Sequence, residues 1–474
     1  MNYLSSPTTE RDKLLAMTGS LYFIGIAGHA MRGLALATRA NGYKVSGLDE
    51  SAVPPGSDWL DEHSFTWYKT FEPAQLKGVT AVIITGAGAT EDTPAVIAAR
   101  DKHIHIQSFA ALFGELTNEA HVVAVAGTHG KTTTTALITW LLESAGKNPD
   151  YLVGIQPYNF ETSVRLNGSK IAVVEGDEYR ASALDSKSKV QYYHPNTLVL
   201  TSIEHDHPDM YPDLESVVRR FREVVAQLPK TGHVIACADS KNVLDVVKLA
   251  PCAVTTYGLS AGDYQAKDIE YLPTGIEFNV KRAGQDLGRI NSGLYGKHNI
   301  LNILAAVAAS IQEGLSFEQI ITGAATFLGA YRRFNIVSKP DALITIVDDY
   351  AHHPTEVSTN IEAAKLHFKG RRVLVIFRPH TYSRTAALLD EYQLAFRQAD
   401  VSFITDIEGA RETVHTQPIS GQDIVDGLKN ATYEPNRSDL VEHVVSAAKP
   451  GDVILCLSVS GHKEIAHELA ALLS

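Results

Sequence analysis

Residues 122–140, VVAVAGTHGKTTTTALITW, decide how the rest of the chain is read. Five apolar residues run into a tight glycine turn, and a lysine followed by four threonines then opens a helix-forming segment. Strand, loop and helix in that order aim the backbone N–H groups of Gly127 to Thr132, and the helix N-terminus, at one point where a phosphate can sit. Lys131 would reach the β- and γ-phosphates of a nucleoside triphosphate, and the Thr132 hydroxyl would ligate Mg²⁺. Val125 stands where the general pattern has its first glycine, and a plain glycine-rich turn of an α/β protein is the alternative.

At 474 residues the chain is too long for a single hydrophobic core, so roughly two to four domains are expected. An apolar share of 45% and a charged share of 20% are ordinary for globular proteins. Asp plus Glu number 54 against 42 Lys plus Arg, a formal charge of −12, which argues against broad nucleic-acid or membrane-surface binding. A local basic pocket for an anionic substrate remains compatible with that balance. Cys237, Cys252 and Cys456 fall in no metal-ligand or redox spacing and read as buried thiols in a reducing compartment. No apolar run approaches a membrane span, and the polar start MNYLSSPTTERDK lacks a signal-peptide core, so a cytoplasmic protein is expected.

Short β-branched runs alternate with amphipathic segments of helical length, the pattern of parallel α/β sheets. A first block runs to Asn118. Its strand over 21–27 enters the turn Gly25-Ile-Ala-Gly28-His-Ala-Met31-Arg-Gly33, and Asp49 ends the next strand about twenty residues on, which resembles a nucleotide-binding βαβ unit. Structural glycines fit that turn equally well. The run TGAGA over 85–89 reads as another loop at a strand end. In the second block a strand over 170–174 delivers Glu175-Gly-Asp-Glu178-Tyr179, and one over 197–203 delivers Glu204-His-Asp-His207-Pro-Asp209. Both end in groups able to ligate a metal beside the phosphates, a polar loop without metal being the alternative. A hairpin is predicted over 278–291. Asn299 and Asn302 then open an apolar helix on one face, where an asparagine can meet the adenine edge or, for Asn299, cap the helix. In the third block, after Tyr331-Arg332-Arg333-Phe334, strands over 343–347 and 372–377 deliver Asp348-Asp349-Tyr350-Ala-His352-His353-Pro354 and Arg378-Pro-His380-Thr-Tyr382-Ser-Arg384. Strands over 401–405 and 453–459 complete an open sheet.

In this order GTHGKTT, EGDEY, EHDHPD, GKHNILN, RRF and DDYAHHP resemble the Mur ligase family over essentially the whole chain. The resemblance implies three α/β domains. They are a Rossmann-like UDP-sugar domain over 1–118, a central phosphate-loop ATPase-like domain over 119–334, and a C-terminal Rossmann-like open sheet over 335–474 that helps bind nucleotide and peptide. It also implies an ADP-forming amide ligase using ATP and Mg²⁺. FIGIAGHAM and DDYAHHPTE point to UDP-N-acetylmuramate as the acid substrate. For the amine, EGDEYRASALDSKSKVQYYHPNTLVL resembles the branch adding the recycled murein tripeptide L-Ala-γ-D-Glu-meso-diaminopimelate, and that substrate is expected. FRPHTYSRT and ITDIEGARE are more like the branch adding L-alanine, which usually has an arginine at the Thr381 position.

The resemblance also implies roles. Gly127, Thr128, His129, Gly130, Lys131, Thr132 and Thr133 hold the triphosphate, and Glu175 and His207 join Thr132 as metal ligands. Asn302 binds adenine with Asn299 as its partner, while Arg333 and Asp349 contact the nucleotide. Gly25, Gly28 and Met31 lie in the turn that takes the UDP diphosphate, with Asp49 beside them. Tyr350, His380 and Arg384 fall on the substrate side. Phe221 stands near where other branches carry a carbamylated lysine, so no such modification is expected. His352 is a candidate base for the incoming amine, because imidazole titrates near neutral pH. Lys187, Lys189 and Arg384 are expected to form a basic pocket for the tripeptide's carboxylates. No nucleic-acid or membrane partner is expected, and the sequence leaves the oligomeric state open, a monomer or weak dimer being the readings kept.

Overall fold

In the computed structural model, residues 19–85, 89–208, 210–410, 412 and 418–473 are described, and they form three main sheets in succession along the chain. Most of the 85–89 loop, Asp209, Arg411 and the polar start lie outside the described residues. The first sheet contains β1 (Ser20–Ile24), β2 (Lys44–Leu48), β3 (Thr66–Tyr68), β4 (Ala81–Ile84) and β5 (His105–Ser108) in the order β3-β2-β1-β4-β5, all parallel. The order reverses beside β1, and the glycine turn leaves β1 at that switch point, where such sheets leave a crevice for ligands.

The central sheet has ten strands: β6 (His121–Ala126), β7 (Asp150–Leu152), β8 (Val164–Arg165), β9 (Ile171–Gly176), β12 (Thr197–Leu200), β13 (His233–Cys237), β14 (Ala253–Gly258), β15 (Tyr264–Leu272), β16 (Gly275–Arg282) and β17 (Gln285–Ser292). A separate hairpin, β10 (Arg180–Ser182) with β11 (Asp185–Ser188), follows β9. β6 lies between β12 and β9 and runs parallel to both, with Val125 level with Val199 on one side and Glu175 on the other. That register brings the phosphate loop and the two acidic strand ends to the same edge of the sheet. Alternation along β6 serves two cores: Val123 and Val125 enter one apolar cluster, and Val122, Ala124 and Ala126 enter the other. The second of these clusters continues into Leu21, Phe23 and Phe113 of the first unit, so the two units share apolar packing. The predicted hairpin is β16 with β17, lengthened by β15, whose polar, half-exposed residues carry little apolar signal. Phe221 is fully buried in the helix Leu214–Ala226.

The third sheet orders β18 (Asn335–Ile336), β19 (Thr345–Asp349), β20 (Val373–Phe377), β21 (Val401–Ile404), β22 (Ala431–Tyr433) and β23 (Val453–Leu457) as β18-β19-β23-β20-β21-β22, with only β18 antiparallel. β20 and β23 are buried throughout, as continuous apolar runs at the centre of a parallel sheet should be. Buried Arg332 fixes the chain's entry into this unit. Its Nε donates to Asp348 Oδ2 at 2.9 Å and its Nη2 donates to the Ser458 carbonyl at 2.8 Å. Among the described residues no helix is long and apolar enough to cross a membrane.

Candidate active site

A cavity of about 1250 Å³ lies at the carboxyl ends of the central strands and is walled by all three units. Gly28 and Met31 reach it from the first unit. Thr128 to Thr133, Glu175, His207, Asn299 and Asn302 reach it from the second. Arg333, Asp349, Tyr350, His352, His380 and Arg384 close it from the C-terminal side. Gly25, Gly127 and Asp49 do not line it. The Asp49 carboxylate instead accepts the Ala27 N–H at 3.0 Å and the Ser51 hydroxyl at 3.0 Å, so it shapes the glycine turn from behind. Gly127 has φ +134, and a Cβ there would meet Thr201 Oγ1 at 2.2 Å.

The phosphate loop has the geometry its sequence requires. Gly130 caps the helix Lys131–Ser144 with φ 80 and provides no side-chain cap, which leaves the first helical N–H groups directed at an incoming anion. Lys131 Nζ donates to the Thr128 carbonyl at 3.1 Å and to Glu178 Oε2 at 3.0 Å. Burial works against its charge, but Glu178, with Asp177 and Glu175 nearby, outweighs that and holds the ammonium protonated. Thr132 Oγ1 donates to Glu175 Oε1 at 2.8 Å, and the Gly154 N–H donates to Glu175 Oε2 at 2.6 Å. A hydroxyl and a carboxylate side by side at a phosphate loop are hard oxygen donors that suit Mg²⁺. His207 Nε2 lies 3.8 Å from Glu178 Oε1, at the other side of the lysine's carboxylate partner.

Behind the loop, Asn302 Nδ2 donates to Asn299 Oδ1 at 2.9 Å, and Thr134 Oγ1 donates to Asn302 Oδ1 at 3.2 Å. Asn299 Nδ2 in turn donates to the Tyr295 carbonyl at 2.8 Å. The two asparagines therefore form a relay that ties the helix Lys297–Gln312 to the loop.

The C-terminal unit grips the strand end after β12 residue by residue. Thr355 Oγ1 donates to Glu204 Oε2 at 2.6 Å, His353 Nε2 donates to the His205 carbonyl at 3.2 Å, and Arg384 Nε donates to Asp206 Oδ1 at 2.8 Å. His129 of the phosphate loop lies between Glu204, at 3.5 Å, and Glu356, at 3.3 Å. Burial opposes a charge on His129, but the two carboxylates overcome it and push its pKa up to about 10. His129, Glu204 and His353 bring ligand atoms within 4.8 Å of one another. Both His353 nitrogens are already hydrogen-bonded, and His129 is paired with both Glu204 and Glu356.

Several of the residues predicted on the C-terminal side serve the protein's own framework. Asp349 accepts the Phe334 and Ala351 N–H groups, each at 2.6 Å, and burial pushes its pKa up to about 6 against the pull of Arg333. The Arg333 guanidinium stands 5.3 Å over the Tyr350 ring. His352 Nδ1 donates to the Tyr350 carbonyl at 3.0 Å, and burial lowers its pKa to about 3. His380 Nδ1 is 3.1 Å from Arg384 Nη1. Thr381 Oγ1 and the Ser383 N–H both donate to Glu412, each at 2.8 Å. Of the cations expected in a basic pocket, Lys189 and Arg384 line the cavity and Lys187 does not: Lys189 Nζ donates to Asp177 Oδ2 at 2.6 Å, Arg384 is paired with Asp206, and Lys187 lies 5.5 Å over the Tyr192 ring. Glu178, Asp206 and Glu356 carry much of this geometry yet were not assigned roles from the sequence. All three sit inside the quoted motifs, and a further signal for Glu356 is its spacing three residues after the helix-capping His353.

Fold and site together define a nucleotide-using α/β enzyme in which one phosphate loop faces two further α/β units. Comparison with known proteins refines this. The Mur ligase middle domain matches residues 125–310, the glutamate ligase domain of Mur ligases matches 332–459, and the Mur ligase family catalytic domain matches 20–121. A UDP-N-acetylmuramate–L-alanine ligase of Geotalea daltonii is 33% identical over 95% of this chain and 97% of its own. The solved UDP-N-acetylmuramate–alanine ligase of Thermotoga maritima superposes with a TM-score of 0.78 at 23% identity, covering 96% of this chain and 98% of that one. A murein peptide ligase of Psychrobacter arcticus follows at 0.72 and 26% identity, again covering 96% and 98%. The chain belongs to the Mur ligase family, and it is an ATP-dependent, ADP-forming ligase. The tripeptide expected as amine substrate is overturned by the curated relatives that are 33–34% identical over 92–95% of this chain, which are L-alanine ligases. Lys189 and Arg384, two of the cations counted toward a polycarboxylate pocket, are each paired with a carboxylate of the protein.

Proposed function

We propose that the chain joins L-alanine to the lactyl carboxylate of UDP-N-acetylmuramate, with ATP converted to ADP and phosphate. The observation that carries this reading is the 33% identity to an L-alanine ligase along nearly the full length of both chains.

A carboxylate lacks an acceptable leaving group and repels a second anion, so ATP must activate it. The lactyl carboxylate attacks the γ-phosphate to give an acyl phosphate, and the amine then displaces phosphate as the amide forms. Both steps crowd negative charge, so the protein's work is positioning and neutralisation. Lys131 and Arg333 supply fixed positive charge beside the transferring phosphoryl group. Thr132, Glu175 and His207 would hold Mg²⁺, which when bound supplies further charge neutralisation at the β- and γ-phosphates. The first unit, through the turn at Gly28 and Met31, would hold the UDP-sugar. With its Nδ1–H committed to Tyr350, His352 leaves Nε2 able to accept a hydrogen bond from the amine. Its depressed pKa, about 3, makes it a poor resting place for the proton that leaves the amine's ammonium group. Phosphate release measured with ATP, UDP-N-acetylmuramate and either amine alone tests the reading. L-Alanine is expected to support turnover, and turnover restricted to the tripeptide would refute it.

A further inference from the structure

The same Asp206 oxygen that accepts Arg384 Nε at 2.8 Å, with Arg384 Nη2 also 2.8 Å away in the ion pair, accepts the backbone N–H of His207 at 2.7 Å. Both side chains of this pair are buried, and they come from different units, 178 positions apart in the chain. His207 has φ +55, the left-handed region that a non-glycine residue adopts only when its surroundings hold it there. The carboxylate of Asp206 does so by taking the His207 N–H, and Arg384 in turn fixes that carboxylate. The two preceding residues are held from the same direction, Glu204 by Thr355 and the His205 carbonyl by His353. The backbone that presents His207 is thus shaped by the C-terminal unit, although His207 belongs to the central one.

We propose that Arg384 is a positioning residue for His207, acting through Asp206, so that docking of the C-terminal unit completes the metal side of the phosphate site. This departs from the substrate-side role expected of Arg384, whose guanidinium is committed to Asp206 and His380 and is not free for an incoming carboxylate. The proposal rests on the reading of His207 as a metal ligand.

Mn²⁺ binding to the full-length protein with ADP, followed by electron paramagnetic resonance, tests it alongside the KM for L-alanine. Groups that orient a metal ligand typically change metal affinity by about 10–100-fold when removed. Arg384→Gln and Asp206→Asn should each weaken Mn²⁺ by about tenfold, with the double variant no weaker than either single one. The KM for L-alanine should stay within about twofold, and Arg384→Lys, which keeps the charge without the paired donors, should fall between wild type and Arg384→Gln. If Arg384→Gln fails to fold, Asp206→Asn alone carries the test, because it keeps the shape and removes only the charge. A raised KM for L-alanine in Arg384→Gln with unchanged Mn²⁺ binding, and a silent Asp206→Asn, would overturn the proposal and return Arg384 to the substrate. Unchanged Mn²⁺ binding in His207→Ala would remove the metal role beneath it and overturn both.

Discussion

The ammonium of Lys131 rests 3.0 Å from the buried carboxylate of Glu178, in a loop built to hold phosphate. A nucleotide must therefore draw the lysine away from Glu178 or bind against that negative charge. Glu178→Gln keeps the shape and removes the charge. We expect ADP measured without metal to bind roughly fivefold more tightly to this variant, a difference of about 1 kcal/mol. Isothermal titration reads this directly, and weaker ADP binding would show that Glu178 helps the nucleotide.

Lys131→Ala should remove ligation while leaving the fold intact, with turnover down by at least about 10²-fold, as when a charge-stabilising donor is deleted. Its circular dichroism should stay close to wild type, even though loss of the partner of buried Glu178 lowers the melting temperature. Near wild-type turnover in a folded variant would contradict the phosphate-loop assignment.

Gly130 leaves no room for a side chain. Its φ is +80, and an added Cβ would lie 2.4 Å from Asn302 Oδ1, which also accepts the Thr134 hydroxyl. Gly130→Ala must strain the loop and push Asn302 off its hydrogen bonds. A loss of nucleotide affinity of at least about tenfold is expected, and normal affinity would mean that the loop tolerates both insults.

His129 gives a pH signature with a definite sign. Its pKa is raised in the folded protein to about 10 by Glu204 and Glu356, against burial, from an unfolded value near about 6.5. The stabilisation it provides is therefore complete below about pH 6.5 and is lost as pH rises through about 10. Wild-type stability should fall over that window relative to His129→Gln, in paired thermal melts. Parallel curves would show that His129 is not protonated between the two carboxylates.

Much of the frame was legible because it rests on local pattern. The apolar run into Gly127 read as a buried strand and loop, and the strands ending at Glu175, Glu204, Asp348 and Arg378 read as such because charge follows an apolar run at each. β15 was not assigned, since its half-exposed sequence YQAKDIEYL gains its pairing from neighbours and not from its own periodicity. The site's pairings were the harder part. An arginine such as Arg384 at a strand end can serve a substrate or a distant aspartate with equal local plausibility, and only packing brought Asp206 to it across 178 positions. The tripeptide was expected from the likeness of EGDEYRASALDSKSK to one branch of the family, a local signal outweighed by the likeness to L-alanine ligases along nearly the whole chain. Lys189 in the run DSKSK carries the charge that a tripeptide would need, but folding spends it on Asp177, 12 positions away.

The most direct test of the function offers equal concentrations of L-alanine and the tripeptide L-Ala-γ-D-Glu-meso-diaminopimelate to the enzyme with ATP and UDP-N-acetylmuramate, and identifies the product by mass. The predicted product is UDP-N-acetylmuramoyl-L-alanine, formed with stoichiometric ADP and absent with Lys131→Ala. Predominant formation of the tripeptide adduct, or ATP turnover without any amide product, would contradict it.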